Sequence, residues 1–353
     1  MNNKTYVIKI GSNVLIGENG INEKVIENIT KQVNILKNSN INVLIVSSGA
    51  VALGKKKMKI NEIKGLTKTE CGQIFSSVGQ ASLMEIYTKY FDNYKINISQ
   101  ALLTRKDFSE KTNYNSIKKV LFTSLNLGII PIINENDVLS EEELDFSDND
   151  ELGALIAAMI GAEKLIILSN IDGLYDEYPN GKLIKKVEKI DKSILSMVYK
   201  DKSSMGKGGM ESKLKIAKMM LDLGIKMYIA NGNKENTIEQ ISTGKNPGTL
   251  FEGIIENKVD SIRKWLKAGA SPKGKIYVST IIADLLKSGK RASLLEIGVE
   301  KIEKNFSKGE VVEVCDEEGK CIGYGVSKLD STNINKDSKD TKIVIHTNYF
   351  INI

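Results

Sequence analysis

Two neighbouring stretches, IIPIINEND at residues 129–137 and SDNDELGALIAAMI at residues 147–160, decide the fold of this chain. The first is apolar like a buried strand and then ends in amide and carboxylate side chains. The second opens with polar residues that favour a helix N-terminus and continues as an apolar helix. A buried strand that leads into a buried helix is typical of a parallel sheet covered by helices.

The same alternation of apolar strands and helices runs through about the first 250 residues. It predicts an α/β fold with an open, mainly parallel sheet between helical layers. The predicted strands are Tyr6–Ile10, Val43–Val46, Ile96–Leu103, Ile129–Ile133, Leu165–Leu168 and Lys226–Ile229. The predicted helices are Asn22–Leu36, Gly72–Tyr90, Tyr114–Leu125, Asp150–Ile160 and Gly209–Leu223.

The alternation stops after NPGTLF at residues 246–251, and from Lys275 onward the pattern is of short strands with one helix. We therefore predict a first domain at 1–255, a linker at 256–272 and a small β-rich domain at 273–353.

Composition excludes several classes of protein. The chain has one histidine, His346, so a Ser-His-Asp triad, a histidine-rich metal site and the His-Arg-Asp loop of protein kinases are excluded. Lys and Arg number 50 against 44 Asp and Glu, a mild excess that suits an anionic ligand. Three cysteines are too few for a disulfide framework, and we expect reduced thiols.

No apolar run approaches the roughly 20 residues of a membrane span, and the N-terminus lacks the basic-then-apolar pattern of a signal peptide. We expect a cytoplasmic protein that does not enter a membrane.

Two predicted strand ends carry groups suited to an anion. Lys9 ends the first strand, where its ammonium would lie at the carboxyl edge of the sheet, the edge that binds ligands in open α/β folds. Ser48 and Gly49 follow the second strand and precede a helix whose N-terminal amides can bind an anion. The alternatives are a solvated lysine beside a turn and a serine that caps a helix.

The most informative residues are Asn134 and Asp137 after one strand, with Asp148 and Asn149 before the next helix. Carboxylates and amides that converge on one edge can hold the ammonium and the carboxylate of a free amino acid. Asp148 and Asn149 could instead cap the helix, but capping does not account for Asn134 and Asp137.

A nucleotide could lie at two further motifs. Ser169 and Asn170 follow a strand, where a base and ribose would fit. The glycine-rich loop before the last of these helices can hold phosphates with its amides, with a lysine in the first helical turn. Its residues are Lys207, Gly208, Gly209, Met210, Glu211, Ser212 and Lys213. The loop is neither a P-loop nor a Rossmann fingerprint.

Taken together and in this order, the motifs over about residues 5–250 resemble the amino acid kinase family. They are most similar to its branch that phosphorylates glutamate. The motifs are KIGSNVL, SSGAVALG, PIINEND, SDNDELGALIA, SNIDGLY and GKGGMESK. The tail, from PKGKIYV through SKGEVVEV to KIVIH, resembles a PUA domain.

The resemblance implies roles for these positions. Lys9 and Lys213 would neutralise charge on a phosphoryl group of ATP, while Asp150 would orient both lysines and help to hold Mg²⁺. The glutamate site would comprise Ser48, Gly49, Asn134, Asp137, Asp148 and Asn149. The ATP site would comprise Lys9, Ser169, Asn170 and residues 207–213. The family usually has Asp where Asn170 stands, which puts that nucleotide contact in doubt.

The reaction so implied is phosphorylation of the γ-carboxylate of L-glutamate by ATP, the first step of proline biosynthesis. Feedback inhibition by L-proline is also implied, and Glu143, in the acidic segment Val138–Ser147, could accept a hydrogen bond from its imino group. We further expect a homo-oligomer, a dimer or a tetramer.

Two alternatives remain at this point. Another amino acid kinase could act on acetylglutamate, aspartate, carbamate or uridylate, although the paired polar clusters and the PUA-like tail argue against it. A PUA-like tail is also common in RNA-binding proteins. Residues 273–353 hold 13 basic and 12 acidic side chains, a balance that argues against a strong RNA-binding surface without excluding one.

Overall fold

A computed structural model describes residues 3–17, 20–60, 63–139, 148–199, 209–253, 266, 272–288, 292–335 and 341–352. The chain divides into two compact units, Met1–Asp107 with Thr112–Lys258, and Phe108–Lys111 with Val259–Ile353. The predicted linker at 256–272 lies outside the described residues except for Leu266 and Pro272. The predicted domain boundaries stay a prediction.

The first unit alternates strands and helices. Its strands are β1 Thr5–Ile10, β2 Ile16–Gly17, β3 Gly20–Ile21, β4 Asn42–Ser47, β5 Ile98–Leu103, β6 Ile130–Glu135, β7 Lys164–Ser169, β8 Lys186–Val187, β9 Lys226–Asn231 and β10 Thr249–Phe251. Its helices are α1 Ser12–Leu15, α2 Glu23–Asn38, α3 Ala50–Met58, α4 Lys68–Asp92, α5 Arg105–Ser109, α6 Lys111–Asn126, α7 Asn149–Ile160, α8 Lys192–Tyr199, α9 Met210–Leu223 and α10 Thr237–Ser242.

Eight of these strands form one sheet in the order β5-β6-β4-β1-β7-β9-β10-β8. The six from β5 to β9 run parallel, and only β10 pairs antiparallel with its neighbour β9. Every residue of β1 is buried, as expected for a central strand covered on both faces. The α/β class with an open, mainly parallel sheet is therefore confirmed.

The predicted start of α4, at Gly72, was too late, because the helix begins at Lys68. The helix begins after Thr67, whose hydroxyl accepts the N–H of Glu70 while the Glu70 carboxylate accepts the N–H of Thr67. This capping box is a local sequence signal, Thr-Lys-Thr-Glu, that the apolar periodicity alone did not reveal.

Two glycines let α3 and α4 approach closely. A Cβ on Gly54 would lie 1.7 Å from the backbone oxygen of Phe75, and one on Gly79 would lie 1.8 Å from that of Ala50. Any side chain at either position would separate the helices. This packing sets the position of Ala50, the first residue of α3, at the end of the polar β4–α3 turn.

The second unit contains a six-stranded sheet in the order β12-β16-β15-β14-β11-β13 around its own core. Its elements are β11 Gly274–Val278, α11 Thr280–Lys287, β12 Leu294–Leu295, β13 Val299–Glu303, β14 Val311–Cys315, β15 Cys321–Ser327 and β16 Ile343–Asn352. Cys315 and Cys321 pair across the β14–β15 hairpin with free thiols, and Cys71 is also free. The predicted small β-rich domain is confirmed.

None of the helices in the part of the chain that the structure describes has the length and apolar character that a membrane crossing requires.

Candidate active site

The carboxyl ends of the central strands lie level with one another. Ile10 at the end of β1 pairs with Ser47 on one side and with Leu168 on the other. Ser169 and Asn231 pair at the ends of β7 and β9. The polar residues that follow these strands therefore gather along one edge of the sheet, as the sequence predicted from strand polarity.

Asp150, in the first turn of α7, is bound by two lysines from different elements. Its Oδ1 lies 2.6 Å from Nζ of Lys9 on β1, and its Oδ2 lies 3.0 Å from Nζ of Lys213 on α9. The three residues are 1%, 7% and 8% exposed. Two ammonium groups thus share one carboxylate in a buried cluster, which leaves positive charge available for an anion.

Burial by itself would raise the pKa of the Asp150 carboxyl. The charges of Lys9 and Lys213, together with their hydrogen bonds, outweigh burial and hold that pKa below its ordinary value of 3.8. Asp150 is therefore ionised at neutral pH and can keep both lysines in place.

Gly153, which the sequence prediction left out, allows this cluster to form. A Cβ at this position would lie 3.3 Å from Cβ and 3.5 Å from Cγ of Lys9. One turn after Asp150, the bare backbone of α7 thus packs against the stem of the lysine. The signal was present as a glycine inside the helical stretch ELGALIAA, where glycine is otherwise unfavourable.

Asn149 bonds two other residues of the predicted acceptor site, Ser48 and Asn134. Its Nδ2 donates to Oγ of Ser48 at 2.9 Å and to Oδ1 of Asn134 at 3.0 Å. Among the described residues nothing donates to Oδ1 of Asn149, although this atom is buried. An unmatched buried acceptor is costly in a folded protein, so this oxygen suits a donor group on a ligand.

Gly49 adopts φ +101°, a conformation that favours glycine, and precedes the first turn of α3. Because glycine has no side chain to cap that turn, the first N–H groups of α3 suit a carboxylate. Ser48 and Gly49 thus form the polar turn between β4 and α3.

Asp137 lies on a short 3-10 turn after β6. Its Oδ2 accepts a hydrogen bond from the buried Ser76 of α4 at 2.6 Å. Ser76 was not predicted, because a serine inside an amphipathic helix carries no distinctive signal.

Asp148 connects two parts of the protein. Its Oδ1 accepts the backbone N–H groups of Asp150 and Glu151, at 2.8 and 3.1 Å, and so caps α7. Its Oδ2 accepts the hydroxyl of Ser212 at 2.8 Å. Asp148 therefore has the helix-capping role that the sequence analysis gave as an alternative. Its hydrogen bond to α9 could not be predicted from the sequence.

At the ends of β7 and β9, Ser169 donates to Oδ1 of Asn170 at 3.3 Å. Asp172, close by, receives Nδ2 of Asn231 at 3.0 Å and Nζ of Lys234 at 2.7 Å. The hydrogen bond from Lys234 is the main cause that lowers the pKa of Asp172. Asn231 and Lys234 were not predicted.

Part of the glycine-rich loop is described. Gly209 precedes α9, Met210 and Glu211 open it, and Glu211 pairs with Lys215 on the surface at 2.9 Å. Three predicted residues lie outside the described part of the chain: Lys207, Gly208 and Glu143.

Comparison with known proteins agrees with this architecture. Residues 4–231 match the model of the amino acid kinase family, and residues 274–346 match that of the PUA domain. A carbamate kinase from Giardia lamblia bound to AMP-PNP superposes with a TM-score of 0.52, covering 72% of this chain and 99% of its own, at 19% identity. That likeness shows the fold alone.

Curated relatives match along nearly the whole chain. The glutamate 5-kinase of Pelagibacter ubique is 38% identical over 94% of this chain and 90% of its own length. The glutamate 5-kinase of Bacteroides thetaiotaomicron is 35% identical over 97% and 96%. With these matches, the chain belongs to the amino acid kinase family, as a kinase of its glutamate 5-kinase group with a C-terminal PUA domain.

Proposed function

We propose that this kinase transfers the γ-phosphoryl group of ATP to the γ-carboxylate of L-glutamate, the first step of proline biosynthesis. One observation carries the proposal. Asn149 and Asp150 are adjacent in the first turn of α7, yet Asn149 bonds Ser48 and Asn134 whereas Asp150 bonds two lysines. A cluster of polar side chains suited to an acceptor and a buried cluster with two lysines therefore adjoin.

The acceptor would be held by groups of opposite character. The buried Oδ1 of Asn149 and the carboxylate of Asp137 can accept hydrogen bonds from an ammonium. The uncapped amides after Gly49 can donate to a carboxylate. A free amino acid presents both charges, and glutamate adds a second carboxylate to be phosphorylated. The names of the relatives favour glutamate over the other acceptors of the family.

The chemistry needs no general base. A γ-carboxyl group has a pKa of about 4.3 and is already an anionic nucleophile at neutral pH. Its oxygen forms a bond to the γ-phosphorus while the bond from that phosphorus to the bridging oxygen breaks, and ADP leaves with the electron pair. Lys9 and Lys213 would stabilise the charge that develops on the transferred group, so catalysis rests on positioning and electrostatics.

ATP would extend along the ends of β7 and β9, with Ser169 and Asn170 near its ribose or base. Residues 207–213 would hold its phosphates. Asp172 does not restore the charge missing at Asn170, because the ammonium of Lys234 pairs with its carboxylate at 2.7 Å and offsets that charge. We infer that Asn170 contacts the nucleotide as a neutral partner.

Mg²⁺ would be held mainly by the phosphates of ATP. In the part of the chain that the structure describes, no three acidic, cysteine or histidine side chains are grouped to hold an ion. A carboxylate has about four lone-pair sites, so Asp150 retains acceptor capacity beside its two lysines. One carboxylate with nucleotide phosphates is a usual Mg²⁺ site, and the ion would neutralise phosphate charge.

Three further expectations belong to this proposal. L-proline would compete with glutamate, with Glu143 as a regulatory residue. The enzyme would form a dimer or a tetramer. It would act in the cytoplasm, without a membrane and without strong RNA binding by its PUA domain.

The decisive experiment measures ATP consumption with and without L-glutamate, trapping the acyl phosphate with hydroxylamine. We expect a γ-glutamyl hydroxamate that requires enzyme, ATP and L-glutamate together. Acetylglutamate, aspartate, carbamate and uridylate serve as alternative acceptors, and Asp150→Asn as the inactive control. Turnover that is faster with any of these acceptors than with glutamate would contradict the proposal.

A further inference from the structure

The N-termini of α7 and α9 are joined side by side at two points. Oδ2 of Asp148 accepts the hydroxyl of Ser212 at 2.8 Å, and Oδ2 of Asp150 lies 3.0 Å from Nζ of Lys213. Adjacent residues of α9 are thus bound by two carboxylates of the same turn of α7. Only the second of these links belongs to the charged cluster described above.

The Asp148 carboxylate is occupied on both oxygens. While Oδ1 caps α7 through two backbone N–H groups, Oδ2 holds α9 through Ser212. A hydrogen bond from a hydroxyl to an ionised carboxylate is stronger than one between neutral groups. Asp148 therefore ties the start of α9 to the start of α7.

Lys213 needs such a support. Fixing a lysine side chain costs up to about 2 kcal/mol of rotamer entropy, and a mobile backbone would add to that cost. Lys213 lies in the first turn of α9, where helices fray, and its N–H bonds Gly209 at 3.3 Å. A bond at the adjacent Ser212 anchors this turn where the lysine leaves it.

We propose that Ser212 is a positioning residue: its hydroxyl, through Asp148, holds Lys213 in place on Asp150. Asp148 then serves both this bond and the cap of α7. The part of this inference that concerns turnover rests on the proposed function. It gives Ser212 and Asp148 a role in positioning that the sequence did not predict.

The first test needs no substrate. It compares Ser212→Thr with Ser212→Val. Threonine and valine are nearly isosteric and equally β-branched, but only threonine keeps the hydroxyl. Each full-length protein is treated with an amine-reactive reagent, and mass spectrometry follows the modification of Lys213 and of Lys9. Lys9 is the internal control, because it bonds the same carboxylate from β1 and, among the described residues, makes no direct hydrogen bond or ion pair with α9.

We expect Ser212→Val to raise the labelling rate of Lys213 about tenfold and to leave that of Lys9 within about twofold, since one charge-assisted hydrogen bond is lost. Ser212→Thr should resemble the wild type. An unchanged rate at Lys213 would overturn the proposal. An equal rise at both lysines would overturn it too, because that result describes a general loosening of the site.

The second test uses turnover. Ser212→Val should lower kcat about tenfold with the KM for ATP and glutamate within about threefold, because the loss acts on the transition state. In a Lys213→Ala background the same change should cost less than about twofold, since its effect passes through Lys213. A raised KM for ATP at unchanged kcat, or equal losses in both backgrounds, would overturn the proposal.

The two failures are distinguishable. A wild-type enzyme without glutamate-dependent turnover contradicts the proposed function, whereas the labelling result still decides whether Ser212 positions Lys213.

Discussion

Nζ of Lys9 lies 2.6 Å from Oδ1 of Asp150, and both side chains are more than nine-tenths buried. Removing one partner of a buried ion pair is costly because the other charge remains buried and unpaired. Here a single carboxylate serves two lysines, so its loss leaves two ammonium groups near each other.

We therefore expect Asp150→Asn to lower the free energy of unfolding by about 3 kcal/mol. It should also lower kcat by about 100-fold or more, because neither lysine is then held in place. Denaturant unfolding and the hydroxamate assay measure the two effects. Glu188→Gln is the control, because its surface pair with Lys186 should contribute less than about 1 kcal/mol. Equal stability of both variants would contradict the buried-pair argument.

The stability that Asp150 provides should depend on pH. Its pKa is lowered in the folded protein from 3.8, so its contribution is complete above 3.8 and is lost as the pH falls through the lower folded value. The difference in unfolding free energy between wild type and Asp150→Asn should be constant from about pH 5 to 7 and shrink below 3.8. A difference that stays constant far below pH 3.8 would contradict this linkage.

Lys213→Ala should lower kcat far more than it raises the KM for glutamate. Its ammonium acts on charge that grows in the transition state, so the loss is about 100-fold in kcat. Steady-state kinetics at varied glutamate separate the two constants. Lys215→Ala, which removes an exposed lysine of the same helix, is the matched control. A raised KM for glutamate with unchanged kcat would show that Lys213 has no catalytic role.

Asn149→Ala and Asn231→Ala should each raise the KM for a different substrate. Asn149 bonds Ser48 and Asn134 on the acceptor side, whereas Asn231 bonds Asp172 at the nucleotide end of the sheet. We expect the first to raise the KM for glutamate about tenfold and the second to raise that for ATP, each with a smaller effect on the other substrate. Equal losses for both substrates in either variant would indicate a purely structural role.

Gly153→Ala should lower kcat about tenfold, because the new methyl group would press on the stem of Lys9 at 3.3 Å and displace its ammonium. Gly72→Ala is the control, since the same change on α4 meets open space. That control should keep full activity and gain about 0.5–1 kcal/mol of stability from helix propensity. Full activity of Gly153→Ala would show that the lysine tolerates the displacement.

L-Proline should raise the apparent KM for glutamate and leave kcat nearly unchanged, as overlapping sites require. Glu143→Ala should relieve this inhibition more than it harms catalysis. Rates at low glutamate with millimolar proline test the effect, and Glu188→Ala, which removes an exposed carboxylate away from that segment, serves as the acidic control. An unchanged rate would refute the regulation while leaving the kinase proposal intact.

The sequence by itself determined the parts that depend on local pattern. Apolar runs ending in polar residues predicted β1, β6 and β7, and the polar start of α7 followed from SDND. Strand polarity then sufficed to gather Lys9, Asn134 and Ser169 on one edge, because parallel strands end on the same side.

Only the tertiary structure decided which of these side chains bond one another. Asn149 reaches Ser48 across 101 positions of the chain, and Ser212 reaches Asp148 across 64. Such pairs depend on strand order, on register and on how closely α7 packs on β1, which Gly153 permits. Periodicity records which face of an element is buried, but it carries no information about the distant residue that covers that face.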